Sequence, residues 1–252
     1  MAARKGPLMS LFQKAFEWLG DRANYRGEQG VFALAGSHLK ITVIALGIAL
    51  VISLPIGIAL GHFHRGGPLV TLIANATRAV PTLGLLYVLA AVPSFGVSQK
   101  TAIVSLAAFA IPPILTNAWA AVSAADDEAV DAARGLGMSQ WQVLFRVELP
   151  LAVPLIFAGL RSSTLQTFAT ATIASYVGSN TLGNLIQLGQ GAGPPGQGEV
   201  LGAAIIIAVL AVLLDVALAV VQRRLTPVPL RSHIARITRR RVNLPEISTG
   251  VG

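Results

Sequence analysis

The sequence predicts an all-α, polytopic membrane protein of about five transmembrane helices, with a helix-turn-helix on the cytoplasmic side. Hydrophobic residues make up 54% of the 252 residues and charged residues only 12%, whereas a soluble domain carries about 25% charged residues. The apolar residues form runs of about 20 residues, the length that a helix needs to cross a bilayer. One long charged segment, 126–150, interrupts these runs. We therefore divide the chain into an N-terminal segment 1–36, a membrane domain 37–221 and a basic tail 222–252.

The N-terminal segment has its apolar residues at helical spacing. They are Leu8, Leu11, Phe12, Phe16 and Leu19. Charged residues interrupt the pattern, so we predict a helix that lies along the membrane interface and does not cross the bilayer. A poorly ordered terminal extension is the alternative.

The first predicted span covers residues 39–60. Ser37 is a suitable N-cap for this helix. Gly57 and Gly61 form a small-xxx-small pair, which either admits a neighbouring helix at close range or only loosens the end of the helix.

Each of the next two predicted spans contains proline within it. The second span, 69–92, contains Arg78 and Pro81, and the proline predicts a kink. Arg78 is unfavourable in hydrocarbon and is expected to face protein, water or the interface. The third span, 101–122, carries Asn117 about one turn after a pair of prolines.

The fourth predicted span, 151–177, has a hydroxyl-rich face. Ser163, Thr167 and Thr170 follow one another at helical spacing and therefore share one side of the helix. These hydroxyls either line a hydrated path or bond back to their own helix. Arg161 lies in the same span.

The fifth predicted span, 200–221, contains one acidic residue, Asp215, which requires a partner or water. The preceding segment, 178–198, is too polar and too rich in glycine to cross the bilayer. After the last span the chain is rich in arginine. The positive-inside tendency favours the cytoplasmic side for this tail and for the loop 126–150, and for the loop the assignment rests partly on the family resemblance given below.

The loop 126–150 predicts two short helices joined by a tight turn. Gly137 lies between them, where glycine adopts a left-handed conformation without a Cβ penalty. Ser139 and Gln142 form a capping box that begins the second helix, and Pro150 marks the boundary with the next span. The apolar faces consist of Val130 and Ala133 in the first helix and of Trp141, Leu144, Phe145 and Val147 in the second.

The same loop resembles the EAA loop of importer-type ABC transporter permeases. That pattern is Glu-Ala-Ala, three residues, Gly, nine residues, Ile, one residue, Leu-Pro. In this sequence the matching residues are Asp131, Ala132, Ala133, Gly137, Val147, Leu149 and Pro150. Aspartate replaces the glutamate of the pattern and valine replaces the isoleucine.

The resemblance extends from about His38 to Asp215 and is strongest to permeases for osmoprotectants such as glycine betaine, choline, carnitine or proline. Methionine or other amino-acid permeases are the alternative. The resemblance implies a bacterial cytoplasmic (inner) membrane protein of two permease chains, identical or paired with a sister subunit. It also implies cytoplasmic ATPase subunits, which bind ATP and magnesium, and an extracytoplasmic solute-binding protein.

The resemblance also implies site residues. No catalytic residue is expected, and the loop is expected to couple the partner ATPase to transport through Glu128, Asp131, Ala132, Ala133, Gly137, Val147, Leu149 and Pro150. The polar residues of the spans lead us to place a translocation path at Asn117, Ser163, Thr167 and Thr170.

Other classes of function have less support in the sequence. The chain has no phosphate-binding loop of the Walker type, no HExxH motif and no cysteine, so we expect no ATPase, metalloprotease or thiol site in it. His62 and His64 lack a third metal ligand nearby. The net charge is +8, and the basic residues cluster beside the spans, where they suit anionic lipid headgroups. We therefore expect no nucleic-acid partner. An ion-coupled secondary transporter that uses Arg78, Arg161 and Asp215 is the remaining rival.

Overall fold

A computed structural model describes residues 7–225, and within them every regular element is helical. The helices are α1 (Pro7–Gly20), α2 (Val31–His62), α3 (Gly67–Ala79), α4 (Thr82–Ala91), α5 (Gln99–Ser123), α6 (Asp127–Gly135), α7 (Gln140–Val143), α8 (Leu149–Ala171), α9 (Gly183–Gly191) and α10 (Gln197–Leu225). A π-helical turn (Leu144–Glu148) joins α7 to α8, and 3₁₀ turns cover Arg22–Tyr25, Thr172–Val177 and Pro194–Gly196.

Four helical segments are long and apolar enough to cross a membrane, namely α2, α5, Gln140–Val177 and Pro194–Leu225. A fifth span is present only if α3 and α4 are counted together, and these two helices are bent by 84° relative to each other. The second predicted span is thus a broken pair rather than one kinked helix. Val80 and Pro81 are both extended, because the residue before a proline disfavours the helical conformation and proline has no N–H to donate.

The first span begins earlier than predicted. Gly30 is the extended N-cap of α2, so the prediction of Ser37 as N-cap is wrong and the domain boundary placed there lies inside a helix. The added turns are stabilised by burial, since Val31 and Leu34 pack in one apolar cluster with Leu182 near α9. Tertiary contacts therefore extend the helix past the point where the continuous apolar run begins.

The N-terminal segment forms an ordered helix, α1, which packs along the first half of α10. Two glycines of α10 allow this close approach. A Cβ at Gly202 would lie 2.5 Å from the ring of Trp18, and one at Gly198 would lie 2.8 Å from the carbonyl oxygen of Lys14. For the described part of this segment, the alternative of a poorly ordered extension is wrong. Its position at the membrane interface stays a prediction.

The centre of the fold is formed by α2, α5 and α8. A Cβ at Gly57 would lie 2.8 Å from the Cβ of Ala118, and one at Gly61 would lie 2.8 Å from the Cβ of Val122. The small-xxx-small pair therefore admits α5 at close range, which decides between the two alternatives that the sequence left open.

The helix that follows the charged loop does not end at Pro150. It runs from Gln140 through the π turn into α8 without a break. A proline ring clashes with the carbonyl group four residues earlier, which here belongs to Arg146 in the π turn. Such single π turns occur inside otherwise α-helical segments. Pro150 lies in the first turn of α8, as predicted, but the helix is not broken there. The second helix of the loop is therefore the beginning of the fourth span.

The outward faces of α2 and α10 are rich in exposed apolar residues. They include Val43, Ile48, Val51 and Ile56 on α2 and Val209, Val212, Leu213 and Val216 on α10. Such surfaces are too apolar for water and suit lipid or another chain. The described residues therefore fit a multi-pass membrane protein.

The fold makes a testable prediction about topology. The C-terminal end of α2 contacts the loop, whereas Glu28 precedes α2 at its opposite end. The chain has no cysteine of its own, so a thiol reagent can label only the single cysteine that is introduced. In intact cells, Gln140→Cys and Ser232→Cys are expected to be shielded from impermeant thiol reagents, and Glu28→Cys is expected to react. Labelling of Gln140→Cys from outside would refute this orientation; residue 232 lies outside the described residues.

Candidate functional site

The charged loop begins with a well-capped helix, α6. Asp126 is the N-cap, and its Oδ1 accepts hydrogen bonds from the backbone N–H groups of Glu128 (2.9 Å) and Ala129 (3.4 Å). Asp127 and Glu128 place further negative charge in the first turn, where it is favourable to the helix dipole. These interactions fix the point at which the chain leaves α5 and turns into the loop.

The turn between α6 and α7 depends on Gly137, which has a φ of +81°. The N–H of Gly137 donates to the carbonyl of Arg134 (2.9 Å), and the N–H of Met138 donates to that of Ala133 (3.2 Å). This is the Schellman arrangement, which requires a left-handed residue after the helix. The predicted positive φ is confirmed.

The second helix starts at the predicted capping box. The N–H of Gln142 donates to the Oγ of Ser139 (3.4 Å), and the N–H of Ser139 donates to the Oε1 of Gln142 (2.8 Å). The end of one helix and the start of the next are thus fixed by consecutive local motifs. Together they hold α6 and α7 at a defined angle.

The inner face of the loop packs on itself and on the membrane domain. Val130, Ala133 and Val143 form one buried cluster, which Val147 joins. Leu144 is buried in a second cluster that contains residues of α5 and α8 and is joined by Leu149, Ile58 and Ile156. Pro150 is half-buried in the first turn of α8. The loop is thereby continuous with the ends of the spans.

The outer face of the loop is exposed and partly apolar. We use this name for Glu128, Asp131, Ala132, Gly135, Leu136, Trp141 and Phe145, all of which are exposed. Leu136 is 81% exposed, Trp141 65% and Phe145 61%, and the rings of the two aromatic residues stack at 6.1 Å. The prediction of one apolar face that contains Trp141, Leu144 and Phe145 is wrong, because Leu144 is buried whereas both aromatic side chains are exposed. An exposed apolar surface rimmed by acidic residues is typical of a protein interface.

The sequence did not indicate that a buried hydrogen bond joins the end of the loop 126–150 to α2. The Nδ1–H of His62, at the end of α2, donates to the Oε2 of Glu148 in the π turn at 2.6 Å. His62 is 5% exposed and Glu148 1%. His64 lies in the turn that follows α2 and donates to the carbonyl of His62 at 3.3 Å. No cluster of three metal-ligating side chains occurs among residues 7–225.

The four residues of the predicted path are divided between two neighbouring cavities. Asn117 lines a cavity of about 340 Å³ beside the break between α3 and α4. Ser163, Thr167 and Thr170 line an adjoining cavity of only about 10 Å³, and each hydroxyl donates to a carbonyl of its own helix. Gln166 lines both cavities and was not singled out from the sequence. A role of the four residues in a path stays a prediction.

The acidic residue of the fifth span has a partner. Asp215 on α10 accepts two hydrogen bonds from Arg161 on α8, one from Nε and one from an Nη. Nearby, the side-chain amide of Gln222 donates to the carbonyl of Pro154 at 3.0 Å. The two charges compensate each other, so neither supports the ion-coupled rival.

Comparisons with known proteins agree with these features. Residues 53–227 match the family model described as binding-protein-dependent transport system inner membrane component. The chain is 33% identical over 192 residues to the glycine betaine/carnitine/choline transport system permease protein OpuCB of Bacillus subtilis, covering 76% of this chain and 87% of that protein. It is 34% identical over 194 residues to the carnitine transport permease protein OpuCB of Listeria monocytogenes, covering 77% and 87%.

Solved structures show the same fold. An inward-facing structure of the MetNI methionine ABC transporter has a chain that matches with a TM-score of 0.66 at 22% identity, covering 76% of this chain and 94% of that one. An amino acid ABC transporter with histidines matches with a TM-score of 0.65 at 22% identity, covering 77% and 92%. The family match covers most of the membrane domain, including the capped loop and the spans that flank it. This chain therefore belongs to the family of binding-protein-dependent transport system inner membrane components.

Proposed function

We propose that this chain is the permease subunit of an ATP-driven importer of osmoprotectants such as glycine betaine, choline, carnitine or proline. The observation that supports this substrate class best is the identity of about one third to relatives named for glycine betaine, carnitine and choline, over about three quarters of the chain. The rival substrate, methionine or another amino acid, has support from structural matches at 22% identity.

An uptake experiment separates the two substrate classes. A bacterial strain that lacks its own osmoprotectant importers regains this chain together with its ATPase and its binding protein. Radiolabelled glycine betaine, choline, carnitine, proline and methionine are then offered one at a time. The proposal expects uptake of one or more of the first four and none of methionine, and uptake of methionine alone would replace it by the rival.

In the proposed complex two permease chains form the pore in the inner membrane, and each loop docks on a cytoplasmic ATPase subunit that binds ATP and magnesium. The outer face supplies the contact, because Leu136, Trp141 and Phe145 are large apolar side chains that gain most from removal from water. Ala132 leaves room for close approach, while Glu128 and Asp131 form the charged rim.

Motion of the loop reaches the membrane by direct continuity. Gly137 sets the angle between α6 and α7, and α7 continues through Val147, Leu149 and Pro150 into α8. Closure of the ATPase around ATP therefore tilts α8 and changes the side to which the path opens. An extracytoplasmic binding protein delivers the solute to the opposite face. The result is a coupling free energy between nucleotide binding and solute access.

The path residues give a further prediction. Replacement of Asn117 by alanine removes the amide at the 340 Å³ cavity, so we expect slower solute uptake at an unchanged amount of complex. Thr167→Val is expected to have a smaller effect, because Thr167 lines only the cavity of about 10 Å³. The Nδ2 of Asn117 and the hydroxyl of Thr167 both donate to carbonyls of their own helices, so the difference in cavity size decides the order. Ser105→Ala is the control, since it removes a buried hydroxyl on α5 that bonds to Thr101. Wild-type uptake by Asn117→Ala would place the path elsewhere.

A further inference from the structure

The contact between His62 and Glu148 joins two parts of the chain that are 86 residues apart in sequence. Both side chains are buried, and the second carboxylate oxygen, Oε1, is buried without a hydrogen-bond partner among residues 7–225. A buried carboxylate is strongly unfavourable unless it is paired. Within the part of the chain described, His62 is the side chain that hydrogen-bonds to the carboxyl group of Glu148.

Each partner occupies a mechanically important place. Glu148 is the last residue of the π turn, between the docking loop and α8. His62 is the last residue of α2, and the preceding Gly61 packs tightly on Val122 of α5. Ser123, at the end of α5, donates to the carbonyl of Gly61 at 3.5 Å. The contact thus ties the beginning of α8 to the packed ends of α2 and α5.

We propose that His62 and Glu148 are positioning residues for energy coupling, and we call their contact the α2–loop link. The link makes the π turn and the end of α2 move together, so that a displacement of the loop by the ATPase moves α2 as well as α8. Without it, the loop would shift against α2 and the π turn would absorb the motion. This inference rests on the proposed function of the loop.

The link can be tested in the reconstituted complex with its ATPase and binding protein. The readout is the amount of solute transported per ATP hydrolysed, measured beside the amount of assembled complex. For Glu148→Ala and for His62→Ala we expect this ratio to fall about tenfold, within the usual range of coupling factors, while ATP hydrolysis continues. In Glu148→Gln the side-chain oxygen can still accept the hydrogen bond, so the ratio should be restored in large part.

A control variant separates coupling from mere stability. His38 is also a buried histidine of α2, and it donates to the carbonyl of Phe168 on α8 at 2.8 Å, far from the loop. His38→Ala is expected to reduce the amount of complex but to leave the transport ratio of the remaining complex unchanged. If the two link variants behave in the same way as this control, the link is only structural and the proposal fails.

A covalent replacement guards against variants that do not assemble. The double variant His62→Cys, Glu148→Cys lacks the link, and a short thiol-specific crosslinker restores a connection in a chain with no other cysteine. We expect poor coupling before crosslinking and recovered coupling afterwards. Wild-type coupling before crosslinking, or coupling that stays poor or is lost after crosslinking, would overturn the proposal. If the wild-type complex itself shows no ATP-dependent transport, the proposed function fails.

Discussion

Replacement of Gly137 by valine is expected to abolish solute uptake while the chain still inserts into the membrane. Gly137 has a φ of +81°, and a β-branched residue is a marked outlier at such an angle. A left-handed conformation costs about 1–2 kcal/mol for a residue with a Cβ. Beyond the two chain neighbours of Gly137, no atom lies within 4 Å of the position that a Cβ would occupy, so the backbone conformation and not a clash causes the effect. The turn would relax to another geometry and re-aim α7.

A graded series makes this prediction specific. Asparagine and aspartate adopt left-handed conformations more readily than other non-glycine residues, so Gly137→Asn and Gly137→Asp should retain more uptake than Gly137→Val. Gly27 provides a matched control, because it has a φ of +82° and open space around a Cβ but lies far from the loop. Gly27→Val should leave uptake intact. Equal uptake by Gly137→Val and wild type would mean that the loop angle does not matter for coupling.

Removal of one partner from the Arg161–Asp215 pair is expected to cause a large loss of the chain from the membrane. The pair bridges α8 and α10 within the spans, and an uncompensated charge there is strongly unfavourable. Arg161→Leu and Asp215→Leu should each reduce the amount of chain in the membrane to a small fraction of the wild-type amount. Quantitative immunoblotting of isolated membranes measures this directly.

Double variants identify the cause of that loss. The pair is only partly buried by the chain itself but lies within the spans, where replacing both partners removes the two unfavourable charges together. Arg161→Leu combined with Asp215→Leu should therefore restore the amount of protein. The exchange of the two residues should restore it as well. Lys100→Gln, which removes an exposed charge at the start of α5, is the control. Normal amounts of both single variants would show that the charges find water or other partners.

Local chemistry determined which parts of the fold could be predicted. The Schellman turn at Gly137 and the capping box at Ser139 involve residues three to five positions apart, so short patterns suffice to identify them. The apolar runs likewise predicted five spans, of which four are single helical segments and the fifth is the bent pair of α3 and α4. The same local patterns predicted a kinked helix at Pro81, where the helix is broken, and a helix boundary at Pro150, where the helix continues. The packing of the surrounding helices decides whether a proline breaks a helix.

Contacts between distant residues could not be predicted in this way. The sequence indicated that Asp215 requires a partner, but the choice of Arg161, 54 residues away, depends on how α8 and α10 pack. The link from His62 to Glu148 was missed for the same reason. Trp141 and Phe145 were grouped with Leu144 on one apolar face because exposed interface residues follow the same helical periodicity as core residues.

In the proposed function this chain imports an osmoprotectant when its loop is driven by an ATPase. The most direct test is accumulation of radiolabelled glycine betaine, choline, carnitine and proline in proteoliposomes that hold the permease and its ATPase, with ATP and magnesium on the ATPase side and the binding protein on the other. We expect accumulation that requires hydrolysable ATP and the binding protein, and that is lost in Gly137→Val. ATP-independent accumulation, or accumulation unchanged in Gly137→Val, would contradict it.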